Sequence, residues 1–158
     1  MIYWSNALWA ITPLILGLLI GSLSQSPNSA WYEQLVKPSW TPPNWVFGPV
    51  WTALYLIMGL SAWIAFRQGQ SKPDLRRSAI VLFILQLALN YAWTPLFLGC
   101  QRQDWALWDL GALCAVAAWT CWQFFLIDRL AGWLFAPYLV WIACAFALNW
   151  SICQSNPI

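Results

Sequence analysis

The chain has 158 residues, of which 61% are hydrophobic and only 8% are charged, and its formal net charge is +2. A soluble domain carries about a quarter charged residues, so this composition excludes a water-soluble globular protein, and the small charge excludes a nucleic-acid-binding surface. The sequence contains no histidine, which excludes a Ser-His-Asp triad, a histidine-ligated zinc ion and a histidine-ligated haem iron. We therefore expect an all-α integral membrane protein.

Five apolar stretches follow one another along the chain, at residues 5–24, 44–66, 78–99, 105–127 and 133–153. Each is long enough to cross a hydrocarbon core of about 30 Å. None has the polar outward face that a helix of a soluble bundle would need. The sequence therefore predicts a single domain over residues 1–158, built as a bundle of five transmembrane helices.

Lysine and arginine residues are divided unevenly between the two sides of this bundle. The loops of one side carry Arg67, Lys72, Arg76, Arg77 and Arg129, whereas those of the other side carry Lys37 and Arg102. Cytoplasmic loops are enriched in Lys and Arg. We therefore expect the N-terminus in the cytoplasm and the long first loop, residues 25–43, on the opposite side of the membrane.

The first loop is too polar to span a membrane, yet it is unusually aromatic for a linker. Over residues 31–45, prolines supply stiffness, and Trp31, Tyr32, Trp40 and Trp45 supply apolar anchors. Loops of this kind often cover binding sites. We therefore expect a lid, and the alternative is a loop that merely packs on the membrane surface.

The chain contains 15 tryptophans, and those near span ends suit an aromatic belt at the membrane surfaces. Trp51, Trp93 and Trp141 lie deeper, roughly 10–18 Å from the side of the first loop at a rise of 1.5 Å per residue. Asn90 lies among them, at a depth where an amide is costly unless it faces the bundle interior. The pattern favours an aromatic cavity for a flat, mostly apolar ligand. Plain core packing is the alternative.

The five cysteines include no C-x-x-C pair, so we interpret them as small packing residues and expect no metal site. The first span contains Gly17-x-x-x-Gly21, a spacing that lets two helices approach closely. These glycines could serve either a homodimer or packing within one bundle.

Three blocks of the sequence resemble one known family. They read WYEQLVKPSWTPPNWVFGPVWTALY at 31–55, ALNYAWTPLFLG at 88–99 and PYLVWIACAFALN at 137–149. They are similar to motifs of the tryptophan-rich sensory proteins and of their mitochondrial relatives, the translocator proteins, once called peripheral benzodiazepine receptors. The resemblance extends over essentially the whole chain. It implies a five-helix bundle, usually homodimeric, with a ligand pocket beneath the first loop.

The resemblance also implies a ligand class and a set of ligand-binding residues. Family members bind porphyrins such as protoporphyrin IX, and many bind haem, sterols or benzodiazepine-type drugs. A porphyrin or haem would be a ligand here, and no cofactor would be required. Carried over motif by motif, the ligand-binding residues are Tyr32, Trp51, Asn90, Trp93, Pro137, Trp141 and Ala145.

One departure from the family argues against high-affinity sterol binding. Translocator proteins associated with cholesterol carry a Leu/Val…Tyr…Lys/Arg pattern at the end of the fifth helix. This chain reads LNWSICQ at 148–154, with no tyrosine and no basic residue. Such patterns are weak indicators of sterol contact even where they are present.

Two functions are favoured at this point, and a purely structural membrane protein is the alternative, although it would leave the deep indoles and Asn90 unexplained. The first is a membrane receptor or sensor that binds porphyrins and related hydrophobic ligands and takes part in tetrapyrrole regulation or transport. The second is an enzyme that degrades protoporphyrin IX in light and oxygen, for which the resemblance implies Trp51 and Trp141 as the reactive side chains. Coupled active transport is not favoured, because the sequence shows neither deep intramembrane charges nor internal repeats.

Overall fold

The computed structural model describes residues 11–20 and 30–157, which form helices and their connections without a β-strand in these two ranges. The helices are α1 (Ile11–Ile20), α2 (Ala30–Gln34), α3 (Asn44–Gln68), α4 (Pro73–Thr94), α5 (Gln103–Ile127) and α6 (Arg129–Ser155). A 3₁₀ turn, Gly69–Ser71, joins α3 to α4, and a π-helical segment, Pro95–Gly99, extends α4.

Four of these helices, α3 to α6, are long and apolar enough to cross a membrane, and α1 is a shorter apolar helix. The prediction of an all-α, multi-pass integral membrane protein is confirmed. The first predicted span, 5–24, is described only over α1, and its remaining residues lie outside the described ranges. Several helices extend beyond the predicted apolar stretches, because polar turns at their ends are also helical.

The helix ends on the side of the 3₁₀ turn are satisfied by polar side chains. The Arg76 guanidinium donates from Nε to the Phe66 carbonyl at 2.8 Å, and the Lys72 ammonium donates to the Leu126 carbonyl, also at 2.8 Å. The carboxylate of Asp128 accepts from the Ala131 amide at 3.0 Å and caps α6. These contacts occupy backbone groups that helix ends otherwise leave unpaired.

A cluster of phenylalanines fills the bundle interior on this side. Each of the four long helices supplies one fully buried ring: Phe66, Phe83, Phe124 and Phe135. The rings meet edge-to-face or stacked, with centroids 5.3–6.5 Å apart. We call these four residues the phenylalanine core. Rings in such arrangements stabilise each other beyond the area that they bury.

A hydrogen-bonded chain of side chains, which we call the polar ladder, crosses the bundle next to this core. Tyr55 donates to Asn90 Oδ1 at 2.7 Å, and Asn90 Nδ2 donates to the Tyr138 hydroxyl at 3.3 Å. The Tyr138 hydroxyl donates to Gln86 Oε1 at 2.8 Å, and Gln86 Nε2 faces the Met58 sulfur at 3.4 Å. The ladder connects α3, α4 and α6. Its hydrogen bonds pair polar side chains that would be costly if they were unpaired in the membrane interior.

The short helix α1 packs on α3 and α4 through a glycine and a tyrosine. A Cβ atom at Gly17 would overlap the ring of Tyr55, so only glycine permits this approach. The Tyr91 hydroxyl donates to the Pro13 carbonyl at 2.8 Å. Gly17 therefore serves packing within the chain, whereas Gly21 lies outside the described residues. Homodimerisation stays a prediction.

Candidate ligand-binding site

A cavity of about 440 Å³ opens in the bundle at the end opposite the phenylalanine core. Its walls come from α1, α3, α4, the π-helical segment, α5 and α6, and Tyr32 of α2 contributes at the loop end. Ligand sites of small molecules usually enclose about 300–1,000 Å³ and are lined mainly by apolar and aromatic side chains. By size and lining, this cavity belongs to that class.

The floor of the cavity is formed by aromatic rings of α3 and α6. Trp51 and Trp141 meet edge-to-face, with centroids 6.3 Å apart and ring planes at 90°. Tyr55 stacks on Trp51 at 5.3 Å, and Phe47 meets Trp141 at 6.0 Å. Tyr138 of the polar ladder lies 6.5 Å from Trp51 and thereby connects the floor to the buried interior.

The roof of the cavity is formed at the junction of α4 with the π-helical segment. Trp93 stacks on Phe97 at 4.9 Å with ring planes at 12°. The wider turn of the π-helical segment begins at Pro95, whose missing N–H breaks the α-helical ladder, and the Cys100 amide donates to the Pro95 carbonyl at 2.8 Å. Phe97 is only 2% exposed, and Tyr32 packs against it with centroids 6.2 Å apart.

The segment that follows α2 is hydrogen-bonded to the end of α6. The Val36 amide donates to Asn156 Oδ1 at 2.9 Å, and Asn156 Nδ2 donates back to the Val36 carbonyl at 3.0 Å. The Lys37 ammonium lies 4.5 Å from the centre of the Tyr32 ring and donates to the Tyr32 carbonyl. Burial raises the pKa of the Tyr32 phenol, so its hydroxyl stays neutral at physiological pH. We call the two hydrogen bonds between Val36 and Asn156 the Asn156 clasp.

Three buried polar atoms around the cavity have no hydrogen-bond partner among the described residues. They are the indole nitrogens of Trp93 and Trp141 and the amide oxygen of Asn149. Asn149 is 2% exposed, and its Nδ2 donates to the Gln103 carbonyl at 2.9 Å. Since buried polar groups are normally paired, these three atoms are hydrogen-bonding groups next to the cavity that the described residues leave unused.

Six of the seven residues that the sequence predicted for ligand binding line this single cavity: Tyr32, Trp51, Asn90, Trp93, Trp141 and Ala145. Pro137 does not belong to the lining, and its side chain is exposed on the outside of α6. It lies one turn beyond Trp141, about 6 Å further from the first loop at 1.5 Å per residue. It is therefore past the cavity floor.

Sequence reasoning missed several lining residues, notably Tyr55, Phe97 and Asn149. Phe97 follows Trp93 by four residues, a helical spacing that places both on one face, and this signal could have identified it. Tyr55 follows Trp51 at the same spacing. Asn149 stands in one of the recognised motifs, but its exposure and contacts could not be read from that motif.

The chemistry available in the cavity is stacking and hydrogen bonding. The described lining residues include no Asp, Glu, Lys, Arg or Cys, and the titratable side chains among them are the tyrosines Tyr32, Tyr55 and Tyr91. In the described ranges, no three Cys, Asp or Glu side chains are grouped closely enough to hold a metal ion. The arrangement can bind and orient a flat aromatic ligand and exclude water from it.

The comparisons with known proteins agree with this architecture. The TspO/MBR family model matches residues 9–154. The human translocator protein is 36% identical over 154 residues, covering 97% of this chain and 91% of the relative. The tryptophan-rich sensory protein of Cereibacter sphaeroides is 40% identical over 127 residues, covering 80% and 77%. Protein CrtK of Rhodobacter capsulatus is 39% identical over 129 residues, covering 81% and 79%. The chain is a member of the TspO/MBR family.

Proposed function

We propose that this protein binds a porphyrin, with protoporphyrin IX as the reference ligand, in the cavity beneath the first loop and acts in tetrapyrrole sensing or transport. The observation that carries the proposal is that the indole rings of Trp51, Trp93 and Trp141 line one apolar cavity. The N–H groups of Trp93 and Trp141 are buried and have no acceptor among the described residues. A porphyrin supplies a large flat π-face on which the indole rings can stack, and it supplies acceptor atoms for the two indole N–H groups.

The geometry suits a planar ligand in particular. Trp51 and Trp141 present rings at right angles on the floor, and the stacked pair of Trp93 and Phe97 presents parallel planes at the roof. A flat ligand can stack on one of the two floor rings and meet the other edge-to-face, and each such ring pair contributes about 0.5–1.5 kcal/mol beyond the area buried. The names of two relatives, sensory protein and translocator protein, suit a role in detecting or moving a ligand.

The test is a titration of the purified protein with protoporphyrin IX in the dark, followed by tryptophan fluorescence. We expect saturable quenching. Trp93→Phe keeps the ring that stacks on Phe97 but removes the N–H donor, so we expect its Kd to rise about tenfold. Trp150→Phe is the matched control, because Trp150 is 52% exposed and lies outside the cavity lining. A wild-type protein without saturable quenching would overturn the proposal.

A second candidate function, light-dependent degradation of the porphyrin, is favoured by the contact between Trp51 and Trp141 on the cavity floor. Molecular oxygen would be the oxidant, and the porphyrin would be both photosensitiser and substrate. The described lining carries no carboxylate, amine or thiol, which is compatible with this chemistry, since it requires no general acid or base. Illumination of the titrated sample separates the two functions: a loss of the porphyrin absorption band that depends on both tryptophans indicates an enzyme.

We also propose that the N-terminus faces the cytoplasm and that the first loop faces the opposite side. The helix order puts the basic residues of one side at the phenylalanine-core end: Arg67, Lys72, Arg76, Arg77 and Arg129. It puts Lys37 and Arg102 at the cavity end. A membrane-impermeant thiol reagent should label the exposed Cys100 in intact cells, and Cys100→Ser should remove this label. Labelling that requires permeabilised cells would reverse the orientation.

A further inference from the structure

The residues that line the cavity are not equally covered. Three of them are exposed on the outside of the protein: Leu18 of α1, at 59%, and Gly48 and Thr52 of α3. All other described lining residues are buried or half-buried. A residue that lines a cavity and is also exposed marks an opening, so the cavity has a side opening between α1 and α3. We call it the α1–α3 slot.

The rim of the slot is suited to contact with lipid. Because Gly48 is the fifth residue of α3, it lies roughly 6 Å inside that span at 1.5 Å per residue. The Thr52 hydroxyl donates to the Gly48 carbonyl at 2.9 Å, which pairs the polar group of that side chain within its own helix. A Cβ atom added at Gly48 would meet no atom within 4 Å. Gly48 therefore borders open space at the rim of the slot.

The loop end of the cavity is closed by buried side chains. Tyr32 is 7% exposed, Phe97 is 2% and Leu98 is 6%, and they pack together at the loop end. A route between them would have to separate these contacts and break the Asn156 clasp. A route through the slot would only have to displace lipid chains.

We infer that the cavity is loaded sideways through the α1–α3 slot by a planar ligand already dissolved in the bilayer, and that Gly48 sets the width of ligand that passes. The inference rests on the proposed function and adds to it the ligand's source, which is the membrane rather than the aqueous phase. Gly48 is then a specificity-determining residue, because any larger side chain narrows the slot.

The test compares binding kinetics in reconstituted phosphatidylcholine vesicles, with stopped-flow quenching of tryptophan fluorescence by protoporphyrin IX. Gly48→Leu narrows the slot, and we expect the association and dissociation rate constants to fall together by about tenfold. Ala53→Leu adds the same side chain to an exposed residue of α3 outside the lining, so its rates should match the wild type. Thr52→Leu narrows the slot one helical turn further along α3. It tests the same prediction if Gly48→Leu does not fold.

Three other results would contradict the inference in different ways. Equal rates in the wild type and both plugging variants, with saturable binding retained, would overturn lateral loading alone. Faster association and dissociation in Asn156→Ala would show that the ligand passes beneath the first loop instead. Absence of saturable quenching in the wild type would overturn the proposed function and, with it, this inference.

Discussion

On the side of the 3₁₀ turn, one phenylalanine from each long helix fills the bundle interior, and all four rings are fully buried. On the side of the first loop, rings from α3, α4, its π-helical extension and α6, together with two leucines of α5, surround a volume of about 440 Å³. Both halves are thus aromatic, but the side chains differ. The phenylalanine core of the solid half has no polar ring, whereas tryptophan and tyrosine line the hollow half together with Phe47 and Phe97.

The difference follows from the polar atoms of the rings. A phenylalanine ring has no donor to satisfy, so it can be packed on all sides without cost. A buried indole N–H needs an acceptor, and Trp93 and Trp141 find none among the described residues. The rings of the hollow half thus have polar atoms that can bind a ligand, whereas the rings of the solid half only stabilise the fold. Tyr138 lies at the boundary, in contact with Phe135 on one side and Trp51 on the other.

Removing a ring from the solid half should produce the largest effect on stability. Phe83→Ala leaves a cavity among three other rings, and such truncations cost about 3–5 kcal/mol. We expect a large fall in the thermal unfolding midpoint in detergent, with porphyrin binding by the remaining folded protein little changed. Ile84→Ala is the control, since Ile84 is 49% exposed. A similar fall in both variants would contradict the assignment of stability to the phenylalanine core.

Breaking the polar ladder should affect both halves, because Asn90 belongs to it and also lines the cavity. Asn90→Leu leaves the hydroxyls of Tyr55 and Tyr138 short of a partner, which costs about 1–3 kcal/mol for a buried polar group. We expect a moderate fall in the unfolding midpoint together with weaker porphyrin binding. Loss of binding at unchanged stability would show that Asn90 contacts the ligand but does not support the bundle.

Changing the floor of the hollow half should separate chemistry from binding. In Trp51→Phe and Trp141→Phe an aromatic ring still fills each site, so we expect the fold to be preserved. Kd should change little in Trp51→Phe and rise in Trp141→Phe, which loses one of the two indole N–H donors without an acceptor, and in both variants turnover should fall more than binding. Light-driven loss of the porphyrin band, where it occurs, should slow by about tenfold or more, which corresponds to roughly 1.4 kcal/mol. An equal loss of binding and turnover would contradict a chemical role for these two indoles.

Releasing the Asn156 clasp should have the smallest effect. Asn156→Ala removes two hydrogen bonds at the edge of the hollow half, each worth about 0.5–1.5 kcal/mol. Hydrogen exchange should accelerate at the Val36 amide and its neighbours and stay unchanged in α4 and α5. Gln154→Ala, at an exposed residue near the same helix end, is the control. Unchanged exchange at Val36 would show that the clasp does not hold the loop.

The sequence allowed the four long helices to be predicted because hydropathy records lipid contact directly. It also located Trp51, Trp93 and Trp141, since depth in a span can be counted from its end. It did not predict the polar ladder, whose partners lie on different helices and share no local pattern. Pro137 was assigned from its motif alone, and the motif does not record that the residue lies beyond the cavity floor.

The most direct measurement is an experimental structure of the protein prepared with protoporphyrin IX in the dark. We expect the macrocycle in the cavity, between the floor rings of Trp51 and Trp141 and the roof pair of Trp93 and Phe97. An acceptor atom of the porphyrin should lie about 2.7–3.2 Å from the indole nitrogen of Trp93 or Trp141. A macrocycle bound on the lipid-facing surface, with the cavity empty of porphyrin, would contradict a ligand site in the hollow half of the bundle.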